Sequence, residues 1–130
     1  MLRRDLMTAE IQKLAQVLAR IMGLKLEGKL EESEDLFKES LLKEFEISEE
    51  DLFSSSGKEF NTLLLKKEFP AEKLDMLSQF LYAELAPSTE SERNRLIAEK
   101  LLIIYQALEE QHHIISMMNM DRQKKIQQYL

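Results

Sequence analysis

Cysteine is missing from these 130 residues, and histidine occurs only at His112 and His113. Without a thiol there is no disulfide, no thiolate metal site and no cysteine nucleophile, a usage compatible with a reducing cytosol. Glycine occurs three times and proline twice. A β-sandwich needs far more turn residues, so the scarcity points to long helices with few connections. Long apolar runs are also lacking. The longest is Leu101–Tyr105, far short of the roughly 20 residues that span a bilayer. Basic excess is lacking too: 18 Lys and Arg against 24 Asp and Glu give a net charge of −6. That balance disfavours nucleic acid and anionic membranes as partners, although Arg122-Gln123-Lys124-Lys125 is a local basic patch. Met1-Leu2-Arg3-Arg4 has the charged start of a signal peptide, but Asp5, Glu10 and Lys13 interrupt the apolar stretch that should follow. A cytoplasmic protein is the expectation.

What the chain does have is abundant Leu, Glu and Lys in helical periodicity. Met7, Ile11, Leu14, Leu18 and Ile21 mark one face of a first helix over about 6–26. Val17, Met22 and Leu24 widen that face, and Gly23 within it predicts a close helix–helix approach. Gly28 suits the left-handed position that ends a helix. A second helix follows over about 30–45, with Leu30, Ser33, Phe37, Ser40 and Leu41 on one face. Ser48-Glu49-Glu50-Asp51 reads as a cap with first-turn acids, opening a short helix to about Phe53. Further helices are predicted over about 58–68, 71–85, 90–111 and 119–128. Pro70 suits the start of the 71–85 helix, and Ser88 or Thr89 is the predicted cap of the next. That 90–111 helix is nearly apolar all round near Leu101–Tyr105, so it is expected to be central.

Residues that could carry chemistry are few. Glu109 stands three and four positions before His112 and His113, the spacing of a helical metal site, yet adjacent histidines point about 100° apart. A histidine at a helix end also suits the dipole. Ser33 and Ser40 have no histidine near them in sequence, and their hydroxyls are expected to bond back to the preceding turn. The clusters Glu31-Glu32-Glu34-Asp35 and Glu49-Glu50-Asp51 lack calcium-loop order and sit at predicted helix starts. No phosphate loop, zinc-finger spacing or nucleophile elbow occurs. Hence no catalytic, cofactor-binding or metal residue is assigned, and no cofactor is expected. Met117, Met118 and Met120, with Ile126 and Tyr129, look like a lid on the last hairpin. An adaptable binding surface is the other use of such methionines.

The stretch carrying Gly28, Glu31, Glu32, Ser33, Phe37 and Ser40 resembles the second half of a tetratricopeptide repeat. In that family a turn glycine precedes a small, an aromatic and a small residue at fixed steps. Leu74, Leu77, Ser78 and Leu81 are a weaker echo of the first-helix spacing. Arg20 and Ile21 depart from the pattern, where an apolar residue and a glycine are usual. Arg4-Asp5-Leu6-Met7 is similar to the opening of an uncharacterised bacterial family of small repeat-like proteins with no assigned activity. The resemblance implies a right-handed stack of antiparallel helix pairs with a concave, peptide-binding face. Ala19 stands where clamp members carry an Asn, so recognition of chaperone tails is not implied.

The expectation is therefore an all-α, TPR-like short α-solenoid forming a single domain over 1–130, with an irregular helical bundle as the alternative. Its function would be non-enzymatic: binding a protein or peptide, or self-association. Two repeats are few for a solenoid, which usually needs three, so a homodimer is expected. The rival is a small helical enzyme or metal-binding protein using Glu109 with His112 or His113.

Overall fold

The computed structural model describes residues 2–86 and 91–130. It is all-helical: α1 (Leu2–Leu26), α2 (Leu30–Phe45), α3 (Glu49–Phe53), α4 (Gly57–Lys67), α5 (Ala71–Tyr82), α6 (Glu92–His112), α7 (Met117–Ile126) and a closing 3-10 turn, Gln127–Tyr129. No strand occurs among the described residues. The chain divides into two compact units, Met1–Ser48 and Glu49–Leu130.

The first unit is the α1–α2 hairpin. Gly28 adopts φ 78°, the left-handed conformation expected of it. Around it the Gly28 N–H donates to the Lys25 carbonyl at 3.0 Å and the Lys29 N–H to the Leu24 carbonyl at 2.9 Å. Those two bonds are a Schellman closure, which satisfies carbonyls that the end of α1 would otherwise leave open. Glu31 and Glu32 then occupy the first turn of α2, where the helix dipole favours negative charge.

Leu14, Leu18 and Ile21 of α1 are buried, as are Ser33, Phe37, Ser40, Leu41 and Phe45 of α2. The Ser33 hydroxyl does not bond back along its own helix as the sequence suggests. It donates across the hairpin to the Ile21 carbonyl at 3.1 Å. Lys13 meets Glu44 at 3.1 Å toward the open end. With Ile21 opposite Ser33 and Lys13 opposite Glu44, the two helices run antiparallel.

Two expectations for this hairpin need correcting. A Cβ placed on Gly23 would have nothing within 4 Å, so no close approach uses that glycine. Met22 and Leu30 are exposed, which makes the buried stripe narrower than the apolar pattern implies.

In the second unit α6 is the hub. α5 packs along it most extensively, and α3, α4, α7 and the closing turn all rest against it. Ile97, Leu101, Ile104, Ala107 and Leu108 are buried, as expected of a central helix. Tyr105, the end of the apolar run, is buried as well, and so are Asn94 and Lys100, which apolar periodicity does not foresee. Lys100 is wholly enclosed, with its ammonium 3.4 Å from Glu99 Oε1.

Caps explain the helix boundaries. Ser56 and Glu59 form a reciprocal capping box that starts α4. The Ser-x-x-Glu signature of such a box stands in the sequence as Ser56-Gly57-Lys58-Glu59. Ser91 caps α6; the predicted caps Ser88 and Thr89 lie outside the described residues. Ser116 caps α7, so that helix begins two residues earlier than its pattern suggests.

α5 ends at Tyr82 rather than Leu85. Beyond it, Glu84 and Leu85 make tight i to i+3 bonds to Leu81 and Tyr82. The buried Asn94 amide then holds Ala86 from both sides, accepting from its N–H at 3.0 Å and donating to its carbonyl at 3.1 Å. A side chain of α6 thus replaces the helical bonding that α5 gives up.

Candidate functional site

The residues offered by sequence for metal chemistry do not share a site. Glu109 lines a cleft of about 270 Å³ with Tyr105, Ile114, Ile115, Asn119 and Met120. His112 lines a different cleft of about 380 Å³ with Leu64, Phe69 and Leu74. His113 is exposed and holds the left-handed residue after α6, at φ 55°. Among the described residues no three His, Cys, Asp or Glu side chains are grouped as a metal site. Ser33 and Ser40 are buried in the hairpin, which suits helix packing rather than nucleophilic attack on a substrate. The acids Glu31 and Glu32 are exposed in the first turn of α2, and Glu49 and Glu50 in that of α3.

The methionines stand differently from expectation. Met117 is 88% exposed, and Met118 and Met120 are more than half exposed. Ile114 and Ile115 beside them are also exposed. They do not form the apolar lid that the sequence suggests. Ser116 fixes the start of α7, and Asn119 and Ile126 become its buried residues. The methionines fall on the other side. Five of the seven residues from 114 to 120 are therefore exposed and apolar.

Behind this strip lies a polar cluster drawn from α5, α6 and α7. Asp75 is its anchor: one carboxylate oxygen accepts from Asn119 Nδ2 at 3.1 Å and the other from Gln79 Nε2 at 3.0 Å. The Asn119 bond joins residues 44 positions apart. Arg122 lies over the Tyr82 ring, with its guanidinium carbon 4.4 Å from the centroid, a favourable cation–π contact.

Tyr105 completes the group. Its hydroxyl and Arg122 Nη1 are both buried without a well-formed hydrogen bond, and the two side chains interact with each other. Burial pushes the Tyr105 hydroxyl up to about 12; Arg122 works the other way through its charge and a side-chain hydrogen bond, while Tyr82 and Asp75 raise it further. At neutral pH the group is therefore an uncharged phenol and a hydrogen-bond donor.

Only the apolar half of this region is legible in the sequence, through the methionine cluster. Asp75 and Asn119 carry no local sequence signal, and Tyr105 shows only as the end of the apolar run Leu101–Tyr105; the three meet only when three helices pack. Arg122 stands out in the sequence only as part of the basic patch Arg122-Gln123-Lys124-Lys125.

Comparison with protein-family models, with curated proteins and with solved structures finds no match.

Proposed function

We propose that this chain is a non-enzymatic helical module that binds protein, as a second copy of itself or as another polypeptide. The exposed strip Ile114, Ile115, Met117, Met118 and Met120 carries this reading. Isolated exposed apolar residues are ordinary, but a contiguous group of this kind is the usual mark of an interaction surface. Methionine suits such a role because its unbranched, polarisable side chain adapts to a partner's shape. The flanking polar face of α7 carries Lys124 and Lys125, charges that would rim an interface.

The α1–α2 hairpin supports a TPR-like kinship within this proposal. Gly28 is left-handed, and Ser33, Phe37 and Ser40 are all buried at the places where the repeat pattern puts them. A short right-handed solenoid, working in the cytoplasm, is the wider form of the reading. No described helix is long and apolar enough to cross a membrane.

The test is sedimentation velocity over a concentration series, with wild type beside the Met117→Asp/Met118→Asp double variant. Wild type is expected to gain mass with concentration and the variant to remain monomeric. A wild type that stays monomeric throughout removes the self-association form. Association that survives in the variant removes this face.

A further inference from the structure

Two exposed apolar groups in the chain carry rims of opposite charge. One is the strip that runs into α7. The other is the turn of the α1–α2 hairpin. Leu26, the last residue of α1, is 90% exposed, and Leu30, the first of α2, is 65% exposed. Met22, four residues before Leu26 and so on the same side of α1, is exposed as well. The left-handed Gly28 reverses the chain between them, which keeps Leu26 and Leu30 at one end of the hairpin.

The turn is acidic. Glu27, Glu31, Glu32 and Asp35 are exposed around it; Lys25 is half-buried, and the exposed Lys29 is paired with Glu27 at 3.4 Å. The strip is basic on its α7 side. Lys124 stands four residues after Met120 and seven after Met117, and Lys125 seven after Met118. One exposed side of α7 therefore carries methionine first and lysine beyond it. Asp121 is the single acid from 114 to 130. Its pair with Lys125 at 3.0 Å is open to solvent at both ends, and such pairs hold weakly. Glu109 and Glu110, at the end of α6, confine the positive rim to α7. Shape agrees with charge: the cleft of about 270 Å³ beside Ile114, Ile115 and Met120 has room for a protruding leucine.

We propose that the α1–α2 turn of one copy docks on the methionine strip of a second copy, with Leu26 and Leu30 against the strip and Glu31 and Glu32 facing Lys124 and Lys125. The proposal rests on the self-association form of the reading above and names the surface that the strip meets. Strip against strip would bring two positive rims into one interface, a like-charge arrangement that opposes association. Turn against strip pairs opposite rims and covers both apolar groups. The two surfaces differ, so the contact is heterologous. Each added copy brings a further turn and a further strip, and assembly runs past the dimer or closes as a ring.

The test is complementation between two full-length variants in sedimentation velocity. Met117→Asp/Met118→Asp spoils the strip and keeps the turn; Leu26→Gln/Leu30→Gln spoils the turn and keeps the strip. Wild type is expected to pass beyond dimer mass as concentration rises, and each variant alone to stay monomeric. Their mixture should form a dimer and nothing larger, because only one intact turn–strip pair can be made. That recovery also shows both variants to be folded. Glu31→Lys/Glu32→Lys and Lys124→Glu/Lys125→Glu should each weaken association roughly fivefold or more, and a chain carrying all four changes should regain it. A mixture no heavier than its parts, or charge reversals that fail to compensate, would overturn the proposal. A turn variant that associates as wild type does while the strip variant does not would also overturn it, and would leave self-association through the strip standing. A wild type that stays monomeric removes both.

Discussion

Gly23 and Gly28 lie five residues apart in one hairpin, and changing each to alanine should have opposite consequences. In both places the new methyl group meets open space, with nothing within 4 Å. Neither packing nor a clash therefore separates the two, and only the backbone does. Gly23 is inside α1, where alanine is favoured over glycine by about 0.8–1.0 kcal/mol. Gly28 has φ 78°, where a Cβ costs about 1–2 kcal/mol, offset by about 0.4–1 kcal/mol from a less flexible unfolded chain. Gly23→Ala should stabilise the hairpin by about 0.5–1 kcal/mol and Gly28→Ala should destabilise it by about 1 kcal/mol. The expected gap of about 2 kcal/mol is more than a tenfold change in an opening equilibrium. The assay must see the first unit alone. Tyr82, Tyr105 and Tyr129, the chain's three tyrosines, all lie in the second, so tyrosine fluorescence would follow the wrong part. Native-state hydrogen exchange at the Leu18 and Phe37 amides reads the hairpin directly. Shifts of the same sign in both variants would refute the left-handed turn as the feature that closes α1.

Ser33→Ala should cost the hairpin about 1 kcal/mol in the same exchange experiment, because it removes the cross-helix bond to Ile21 while leaving a small side chain that still fits. Asn94→Ala should be somewhat more damaging to the second unit, by about 1–2 kcal/mol in urea unfolding, since the Ala86 N–H loses its partner and the Ala86 carbonyl keeps only the Tyr129 hydroxyl. The Glu59 carboxyl is held below its ordinary value of 4.5, first by the hydrogen bond from the Ser56 backbone and then by the Ser56 hydroxyl. A lowered acid stabilises the fold above its unfolded value and loses that contribution as pH falls through the folded one. Glu59→Gln should therefore flatten the acid limb of the stability profile below about pH 4.5, measured by thermal melts from pH 7 to 3. Tyr105 carries the opposite sign: its raised value favours the neutral form in the fold, so stability present below about pH 10 is lost as pH rises toward about 12. Tyr105→Phe should remove that part of the alkaline decline.

How far each feature could be read from sequence depends on how local its cause is. Gly28 needs only its own φ and a neighbouring helix end, so its role and the 30–45 span of α2 were both legible. Hub helix α6 was legible from its unbroken apolar stretch. Met22, Leu30 and the methionines were misplaced for a shared reason. Apolar character was read as burial, whereas the burial of a helix face depends on what lies opposite, and nothing in the local pattern states that. For α7 one small residue decides the matter. Ser116 sets where the helix begins, and with it which of Met117, Met118, Asn119 and Met120 turns inward. The answer is the polar one, because Asn119 finds Asp75 on α5. A buried amide with a carboxylate partner can occupy an inward position that an unpartnered one could not. The same contact that directs Asn119 inward leaves the methionines outside, so the polar cluster and the apolar strip are two consequences of one helix register. The Glu109 and His112 pairing fails for a complementary reason. Residues three apart on α6 share a general direction, but α4 and α5 border the cleft of His112 while the turn into α7 borders that of Glu109. Spacing alone proposed a metal site, and the packing of neighbouring helices puts its two ends in separate clefts.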